Sequence, residues 1–519
     1  MDRIINNGNF KITINTKNIS SGDIFFCFQN AEKYLTIDVF EKVSKLYCEV
    51  GFLNRIKINF NDKIDKKYSK KIYEIKNLKS ELIRQLKIKY RQPDKLIAIT
   101  GTKGKTSTAW FTMQMIGYCG IKCGYIGTIG VYLFNGKEIK KINQEYTLTT
   151  PDIDEFYRYI DALKQKGADV VIFEASSHAL SQGRIDGLKI NCGCFTNFSQ
   201  DHLDYHGTMD DYFSAKSLLF LKYLQQNDIG IINDTDKKAN DLKKICAQRG
   251  INVKTIGNTV KNDIKISSIK QSKKGQEVEF CIKDNTTKKH QKSFNFCTNI
   301  LGEFQIFNLL ETILICSSVL NVNYSILCDI IPKICAPIGR MQRIKNTNIF
   351  IDFAHTPKSL EESIKLLKSR YKKTVVVFGC GGDRDKQKRP IMCKIARKIA
   401  DFVIITSDNP RFEKPEDIIK DITCFIKKDK NNPLYSNDFV KKEISKIDNL
   451  YKNNESKFKI IVNRSDAIFF TINKFYNLKY AILIAGKGHE NYQIIGDKKI
   501  HFSDSEEAEL ALKKINKKI

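Results

Sequence analysis

The sequence predicts an α/β protein of three domains, the second and third built on mainly parallel sheets. Three observations carry this expectation. At 519 residues the chain is too long for one core, since single hydrophobic cores stop growing at roughly 250–300 residues. From Lys95 onward, short apolar runs bounded by Gly, Ser or Asp alternate with amphipathic helical stretches, the texture of buried parallel strands with crossover helices. Those runs end in small or polar residues, and in open α/β sheets the ligand crevice lies at the carboxyl ends of the strands.

The elements follow in order. Residues 1–93 form a first α/β domain in which "DIFFCF" and "CEVGFLNRIKINF" read as β-like runs, closing on the basic helix "NLKSELIRQLKIKYRQ". Residues 94–333 form a central domain with strands at "LIAIT", "DVVIFEA" and "CGCFTNF", ending in the helix "NLLETILICSSVL". Residues 334–519 repeat the pattern in a Rossmann-like domain, with strands at "NIFIDFA", "TVVVFGCGG", "DFVIITSD" and "YAILIAGKG".

Composition excludes several classes. Hydrophobic residues at 42% and charged residues at 28% describe a globular chain. No apolar run approaches the roughly 20 residues needed for a membrane helix, so no membrane insertion is expected. The opening "MDRIINNGNFKITINTK" has no apolar signal-peptide core. Fifteen cysteines are scattered singly, without a C-x-x-C pair, and read as reduced, buried residues of a cytoplasmic protein. The formal charge of +29 raises a nucleic-acid role. The basic residues are, however, spread along a chain rich in Lys, Asn and Ile, and are not interleaved with aromatics. That reads as compositional drift, and no nucleic-acid partner is expected.

The chemistry starts at "LIAITGTKGKTSTAWF". A P-loop of the form G-x-x-x-x-G-K-[ST] needs a glycine at position 99, where Ile99 stands; here Gly101 precedes Gly104 by only three residues. The context is nevertheless that of a phosphate site: a strand, a glycine-rich turn and a helix N-terminus, whose backbone N–H groups face an anion. Lys105 would reach outer phosphates and Thr106 would touch Mg²⁺. Downstream, "FEASSHALSQGRIDGL" places Glu174 at a strand end, with His178 following. "FTNFSQDHLDYHGTMDDYFSAKSLLF" gathers Asp201, His202, Asp204 and His206, then Lys216 in an apolar helical segment. Such a set can supply oxygen and imidazole ligands to Mg²⁺. Three later loops, "FGCGGDRDKQKRP", "SDNPRFEKP" and "AGKGHENYQ", each follow a strand. There Arg384, Arg411, Lys487 and Glu490 suit a substrate with carboxylates and amines, Asp408 and Glu490 facing an ammonium.

In order, "GTKGKTS", "TTPD", "EASSHAL", "TNFSQDHLDYHGT", "AKSLLF", "GRMQRI", "DFAHTP", "FGCGGDRDKQKRP", "DNPR" and "AGKGHE" resemble the Mur ligases, ATP-dependent amide-bond-forming enzymes of peptidoglycan synthesis. The resemblance covers nearly the whole chain, and the short loop is the family's normal form. It is closest to the type that adds meso-diaminopimelate to UDP-N-acetylmuramoyl-L-alanyl-D-glutamate. It implies a uridine-nucleotide-binding N-terminal domain, a central P-loop ATPase-type domain and a C-terminal amino-acid-binding domain, in a cytoplasmic monomer. By the same resemblance, Gly101, Thr102, Lys103, Gly104, Lys105, Thr106 and Ser107 bind ATP phosphates, and Asn308, Arg340 and Asp352 also face ATP. Thr106, Glu174, His202 and Lys216 lie at Mg²⁺, Lys216 as a lysine carboxylated by CO₂, and Lys105, Lys216, His202 and Glu174 are the catalytic set. Thr16, Thr149, Thr150, Ser176, Gln182 and Arg184 hold the UDP substrate. Arg384, Asp408, Asn409, Pro410, Arg411, Gly486 and Glu490 hold the incoming amino acid. The chain departs from the family pattern at Asn15-Thr16-Lys17, where Asp-Ser-Arg is usual, at Gln305 for Asn, and at Phe353 for Tyr.

Overall fold

The computed structural model describes residues 10–60, 67–142, 148–199, 201–272, 275–283, 290–426, 428–450 and 456–516; the signal-peptide reading of residues 1–9 lies outside them. The chain forms two compact units, residues 1–298 with 306–334, and residues 299–305 with 335–519.

The first unit contains two sheets. β1 (Ile12–Thr13), β2 (Ile24–Cys27), β3 (Lys45–Glu49) and β4 (Ile72–Ile75) pair in parallel in that order. One expectation fails here. Only the start of "CEVGFLNRIKINF" is strand; Gly51, at φ +87°, turns the chain and Phe52–Phe60 is a helix. Phe52 and Ile56 are both buried, a spacing of four that belongs to a helical face and not to a strand.

The second sheet of this unit is built around β5 (Lys95–Thr100). The other strands are β6 (Cys123–Gly127), β7 (Gly130–Phe134), β8 (Ile139–Lys141), β9 (Val170–Glu174), β10 (Cys192–Phe195), β11 (Ile229–Asn233), β12 (Asn252–Gly257), β13 (Ile264–Ser272), β14 (Gly275–Lys283) and β15 (His290–Thr298). Their spatial order is β15-β14-β13-β12-β11-β10-β5-β9-β6-β7-β8. The seven strands from β13 to β6 run parallel, and antiparallel hairpin strands extend both edges. Chain order changes direction at β5, so loops after β5, β9 and β10 share one crevice. Against the expectation that no apolar run reaches that length, the helix Glu303–Leu320 is long and apolar enough to cross a membrane by length and composition alone. Leu309, Leu310, Ile313 and Leu314 on it are buried, as in a core helix.

In the second unit, β16 (Gln342–Arg343), β17 (Ile349–Asp352), β18 (Thr374–Phe378), β19 (Phe402–Ile405), β20 (Lys457–Ile460) and β21 (Ala481–Ala485) make a sheet of order β16-β17-β21-β18-β19-β20. All pairs are parallel except β16–β17. Apolar clusters cover both faces, Leu360, Ile364 and Met392 on one and Ile468, Ile472 and Leu512 on the other. Fully covered parallel strands explain why these segments read as continuous apolar runs. Among the described residues no cysteine is disulfide-bonded; eleven are buried, while Cys297 and Cys335 are exposed against expectation.

Candidate active site

The phosphate loop forms as its sequence implies. β5 ends at Thr100, and a helix runs Lys105–Tyr118. Gly104 has φ +86°, and a Cβ there would sit 2.6 Å from Asn308 Oδ1; a Cβ at Gly101 would collide with Thr196 Oγ1. Lys105 Nζ bends back to donate to the carbonyls of Gly101 (2.9 Å) and Thr102 (3.0 Å). The loop is braced by the segment after β10, which sequence reading did not assign to it. Thr196 Oγ1 donates to Lys103 O (2.6 Å), Asn197 Oδ1 accepts from Lys103 N (2.9 Å), and Ser199 N donates to Thr102 Oγ1 (3.0 Å).

Glu174, at the end of β9, joins this loop. Its Oε2 accepts from Thr106 Oγ1 (2.9 Å) and Thr128 Oγ1 (3.0 Å), and its Oε1 from Thr128 N (2.8 Å) and Tyr125 Oη (2.5 Å). Tyr125 and Thr128 escaped the sequence reading, because nothing in "CGYIGTIG" marks them as partners of a residue some fifty positions away. Thr128 Oγ1 also reaches Thr149 Oγ1 (3.2 Å). Thr150 Oγ1 donates to Glu174 O (2.7 Å) and lies 3.2 Å from Ser176 Oγ. Ser176 caps the helix Ser177–Gln182 through Ala179 N. Arg184 closes the ring, donating to Thr150 O (2.8 Å) and to Gln182 Oε1 (2.8 Å). Thr149, Thr150, Ser176, Gln182 and Arg184 therefore come together. Thr16 lies in the short 3₁₀ turn Thr16–Asn18, two residues beyond Ile14, whose N–H donates to Asp154 Oδ2 (3.3 Å). Among the described residues no hydrogen bond ties Thr16 itself to that ring.

Lys216 is 1% exposed, and its Nζ donates to Gly101 O at 2.7 Å while standing 4.4 Å over the Tyr212 ring. Burial, reinforced by the Lys105 charge, pushes its pKa well below the usual lysine value, so the neutral amine is accessible. Of the Asp201–His206 cluster, the Asp204 side chain lies outside what the structure describes, and the described members do not close as a cage. His202 caps its helix in the left-handed region, φ 51°, with its Nε2 3.8 Å from Asp201 Oδ2. The His206 Nε2 instead pairs with Ser177 Oγ at 2.9 Å. Among the described residues no three His, Cys, Asp or Glu side chains converge as a metal site. The donors that do converge beside the phosphate loop are the Thr106 hydroxyl and the Glu174 carboxylate, hard oxygens of the kind Mg²⁺ takes alongside phosphate oxygens.

The second unit gathers its own set. Asp408 and Asn409 are buried, and Asn409 Nδ2 donates to Glu490 Oε2 (2.9 Å). Lys487, expected to reach a ligand, is fully buried instead. Its Nζ meets Asn409 Oδ1 (3.1 Å), Glu490 Oε2 (3.3 Å) and Asp408 Oδ1 (4.0 Å), bracing the acidic pair. Burial pushes the Glu490 carboxyl up, Lys487 opposes this, and the Asp408 charge adds to it. Gly486 N donates to Asp352 O (3.0 Å), bringing that strand end alongside. Asp352 is buried against Ser363 Oγ (2.5 Å), and burial raises its pKa. Arg340 stacks on the Phe353 ring at 4.7 Å. Arg384 is exposed, touching only the Asp383 carbonyl (3.3 Å) among the hydrogen bonds described. Arg411, at φ 50° after Pro410, donates to Gly382 O (2.7 Å), so the two arginine-bearing loops interlock. A buried arginine missed by the sequence reading fastens them. Arg389 forks onto Glu413 (2.9 Å twice) and also meets Asp421 Oδ2 (2.8 Å) and Gly381 O (3.0 Å).

Strand, glycine turn and helix N-terminus, with a threonine hydroxyl and a carboxylate at the loop's end, make this a phosphate-loop nucleotide enzyme. Residues 99–316 match the Mur ligase middle domain, and residues 339–488 the Mur ligase glutamate ligase domain. The chain is 37% identical over 503 residues to UDP-N-acetylmuramoyl-L-alanyl-D-glutamate–2,6-diaminopimelate ligase of Rickettsia conorii, covering 95% of this chain and 94% of that one. A relative of the same name from Clostridium acetobutylicum is 37% identical over 420 residues, 79% and 77% of the two chains. A solved structure of a UDP-N-acetylmuramoyl-L-alanyl-D-glutamate–2,6-diaminopimelate ligase superposes with a TM-score of 0.62 at 27% identity, covering 98% of this chain and 95% of that one. The MurF ligase of Thermotoga maritima, in complex with ADP, shares the fold at a TM-score of 0.55 and 13% identity, with 98% of each chain covered. The chain belongs to the Mur ligase family, and it is an ATP-dependent, amide-bond-forming enzyme.

Proposed function

We propose that this ligase joins meso-diaminopimelate to the D-glutamate γ-carboxylate of UDP-N-acetylmuramoyl-L-alanyl-D-glutamate, in the cytoplasm and as a monomer, releasing ADP and phosphate during peptidoglycan precursor synthesis. The observation that carries the reading is 37% identity, spread over 95% of the chain, to a diaminopimelate ligase. Amide formation from a carboxylate and an amine in water is uphill, so the carboxylate is first phosphorylated by ATP and the amine then displaces phosphate. Two anions meet in the first step. Lys105, already turned toward the loop, offsets that repulsion, and the backbone N–H groups from Gly101 to Ser107 cradle the phosphates. Thr106, Glu174 and His202 would hold Mg²⁺, and Lys216, carboxylated by CO₂, would add an anionic ligand; the ion supplies charge neutralisation at the transferring phosphoryl group. Lys216 fits this role because a buried lysine with a depressed pKa supplies the neutral amine that takes up CO₂.

The ring of Thr149, Thr150, Ser176, Gln182 and Arg184, with Thr16 from residues 1–93, would hold the UDP-linked dipeptide. Asn308, with Arg340 and Asp352 from residues 334–519, would face ATP. Asp408, Asn409, Gly486 and Glu490 would take an ammonium of diaminopimelate, with Arg384 and Arg411 on its distal carboxylate. A lysine substrate would bring a cation to that arginine pair, which repels it. Arg411→Ala tests this. It should lower kcat/KM for diaminopimelate by about a hundredfold, the loss of a charged hydrogen-bonded pair, and raise the weak rate with L-lysine, whose cation it no longer repels. Equal losses with both amino acids contradict the assignment.

A further inference from the structure

Past Glu490 the chain folds into a hairpin, β22 (Tyr492–Ile495) and β23 (Lys498–His501), which forms a separate two-stranded sheet. Two strands alone are marginally stable in water, and no step of the reaction uses them. The second edge of β22 is bonded instead to the loop Asp408–Arg411. Gln493 is buried, and its Nε2 donates to Asp408 O (2.5 Å). Ile494 N donates to Asn409 Oδ1 (3.0 Å), and Ile494 O accepts from Arg411 N (3.0 Å). Gly496 N donates to Arg411 O (2.8 Å), so Arg411 pairs with Ile495 as a one-residue parallel bridge. The two-residue turn Gly496-Asp497 has its glycine at φ +56°, which keeps these four residues in register with the loop.

Arg411 needs such support. Its φ of 50° lies in the left-handed region, which a long side chain rarely adopts. A conformation of that kind persists only where its surroundings over-determine it. β22 and its turn hold both backbone groups of Arg411, and a rotation there would swing the whole side chain. The guanidinium bonds described are made by one terminal nitrogen, to Gly382 O (2.7 Å) and Asn409 O (3.5 Å). Its Nε and second terminal nitrogen remain for a carboxylate fork. Of the four bonds from the hairpin, three come from main chain; the fourth comes from the Gln493 side chain.

We infer that Gln493 is a positioning residue for amino-acid selection, its amide holding the loop Asp408–Arg411 in the one conformation that offers the Arg411 guanidinium to a carboxylate. The inference rests on the reading of that loop as the diaminopimelate site. With the bond to Asp408 O lost, the loop relaxes, Arg411 holds the distal carboxylate less firmly, and it repels a lysine side chain less.

The test uses steady-state rates of the full-length enzyme with ATP, diaminopimelate and L-lysine, in wild type, Gln493→Met, Arg411→Ala and the double variant. Methionine keeps the length of glutamine and loses the donor. Gln493→Met should raise KM for diaminopimelate about fivefold, the worth of one buried hydrogen bond, leave kcat and KM for ATP unchanged, and raise the rate with L-lysine. In the Arg411→Ala background the same change should lower kcat/KM for diaminopimelate less than twofold, because the residue it acts through is gone. A larger loss in that background, an unchanged diaminopimelate KM in Gln493→Met alone, or an ATP KM that rises in step overturns the inference. If Gln493→Met does not fold, Gly496→Ala decides. Its methyl meets open space, but φ +56° strains the turn that carries the bond to Arg411 O. The same pattern is expected there, and its absence overturns the inference. A wild-type enzyme that forms no product with diaminopimelate overturns the reading of the loop, and the inference with it.

Discussion

Replacing Arg389 with Met tests whether the two arginine-bearing loops of the second unit are held from beneath. The guanidinium is fully buried and makes a bidentate fork to Glu413, a contact to Asp421 and a hydrogen bond to Gly381 O. Removing one partner of a buried ion pair costs about 3–5 kcal/mol, because the other charge stays behind. Hydrogen bonds from Arg389 are the largest influence holding the Glu413 carboxyl down to about 2 from an ordinary 4.5, with the Asp383 N–H and Lys386 adding to it. Those two partners remain in the variant, so the low end of that range, a loss of about 3 kcal/mol, is expected in urea unfolding of the full chain at pH 7. The sign with pH follows from the direction. A depressed carboxyl stabilises fully above its unfolded value of about 4.5, and that contribution drains away as pH falls toward 2. Arg389→Met should therefore flatten the acid limb of stability between about pH 5 and 2. In the same variant, amide exchange at residues 381–384 and 410–413 should speed up, and KM for diaminopimelate should rise at least tenfold with KM for ATP unchanged. A variant with the wild-type acid limb and an unaltered diaminopimelate KM refutes the reasoning.

Two further substitutions address the other braces. Tyr125→Phe removes one of the four hydrogen bonds described at the Glu174 carboxylate, about 1–1.5 kcal/mol, and should lower kcat/KM for ATP about tenfold while raising the Mg²⁺ concentration needed for half-maximal rate; an unchanged Mg²⁺ requirement would show that Tyr125 does not position Glu174. Lys487→Met takes the cation from between Asp408 and Glu490. Burial already raises the Glu490 pKa and Lys487 opposes that rise, so the variant's diaminopimelate affinity should fall away at a higher pH than in wild type as the solution is acidified. A loss at the same pH would remove Lys487 from that role.

The residues that announce themselves in the sequence are those whose chemistry is local. Gly104, Lys105 and Thr106 form a contiguous loop between a strand and a helix, and Asp408 to Arg411 follow a strand directly, so spacing alone points to them. Lys216 stands out as a lysine in an apolar helix. What holds these groups is not local. Tyr125 and Thr128 reach Glu174 across neighbouring strands β6 and β9, a pairing set by sheet order. Lys487 reads as a cation facing a ligand and Arg389 as one more charge in a lysine-rich loop, and only packing reveals that both are buried. The segment Phe52–Phe60 misled because aromatic and β-branched residues favour strands, whereas the turn at Gly51 and the burial of Phe52 and Ile56 make it a helix.

The most direct measurement of the central claim is phosphate release by the purified protein with ATP and Mg²⁺, with the product followed by mass spectrometry. Release is expected only when UDP-N-acetylmuramoyl-L-alanyl-D-glutamate and meso-diaminopimelate are both present. It should be stoichiometric with a product heavier than the dipeptide nucleotide by one diaminopimelate less one water. Release without the amino acid product, or release stimulated by RNA or DNA alone, would contradict the account.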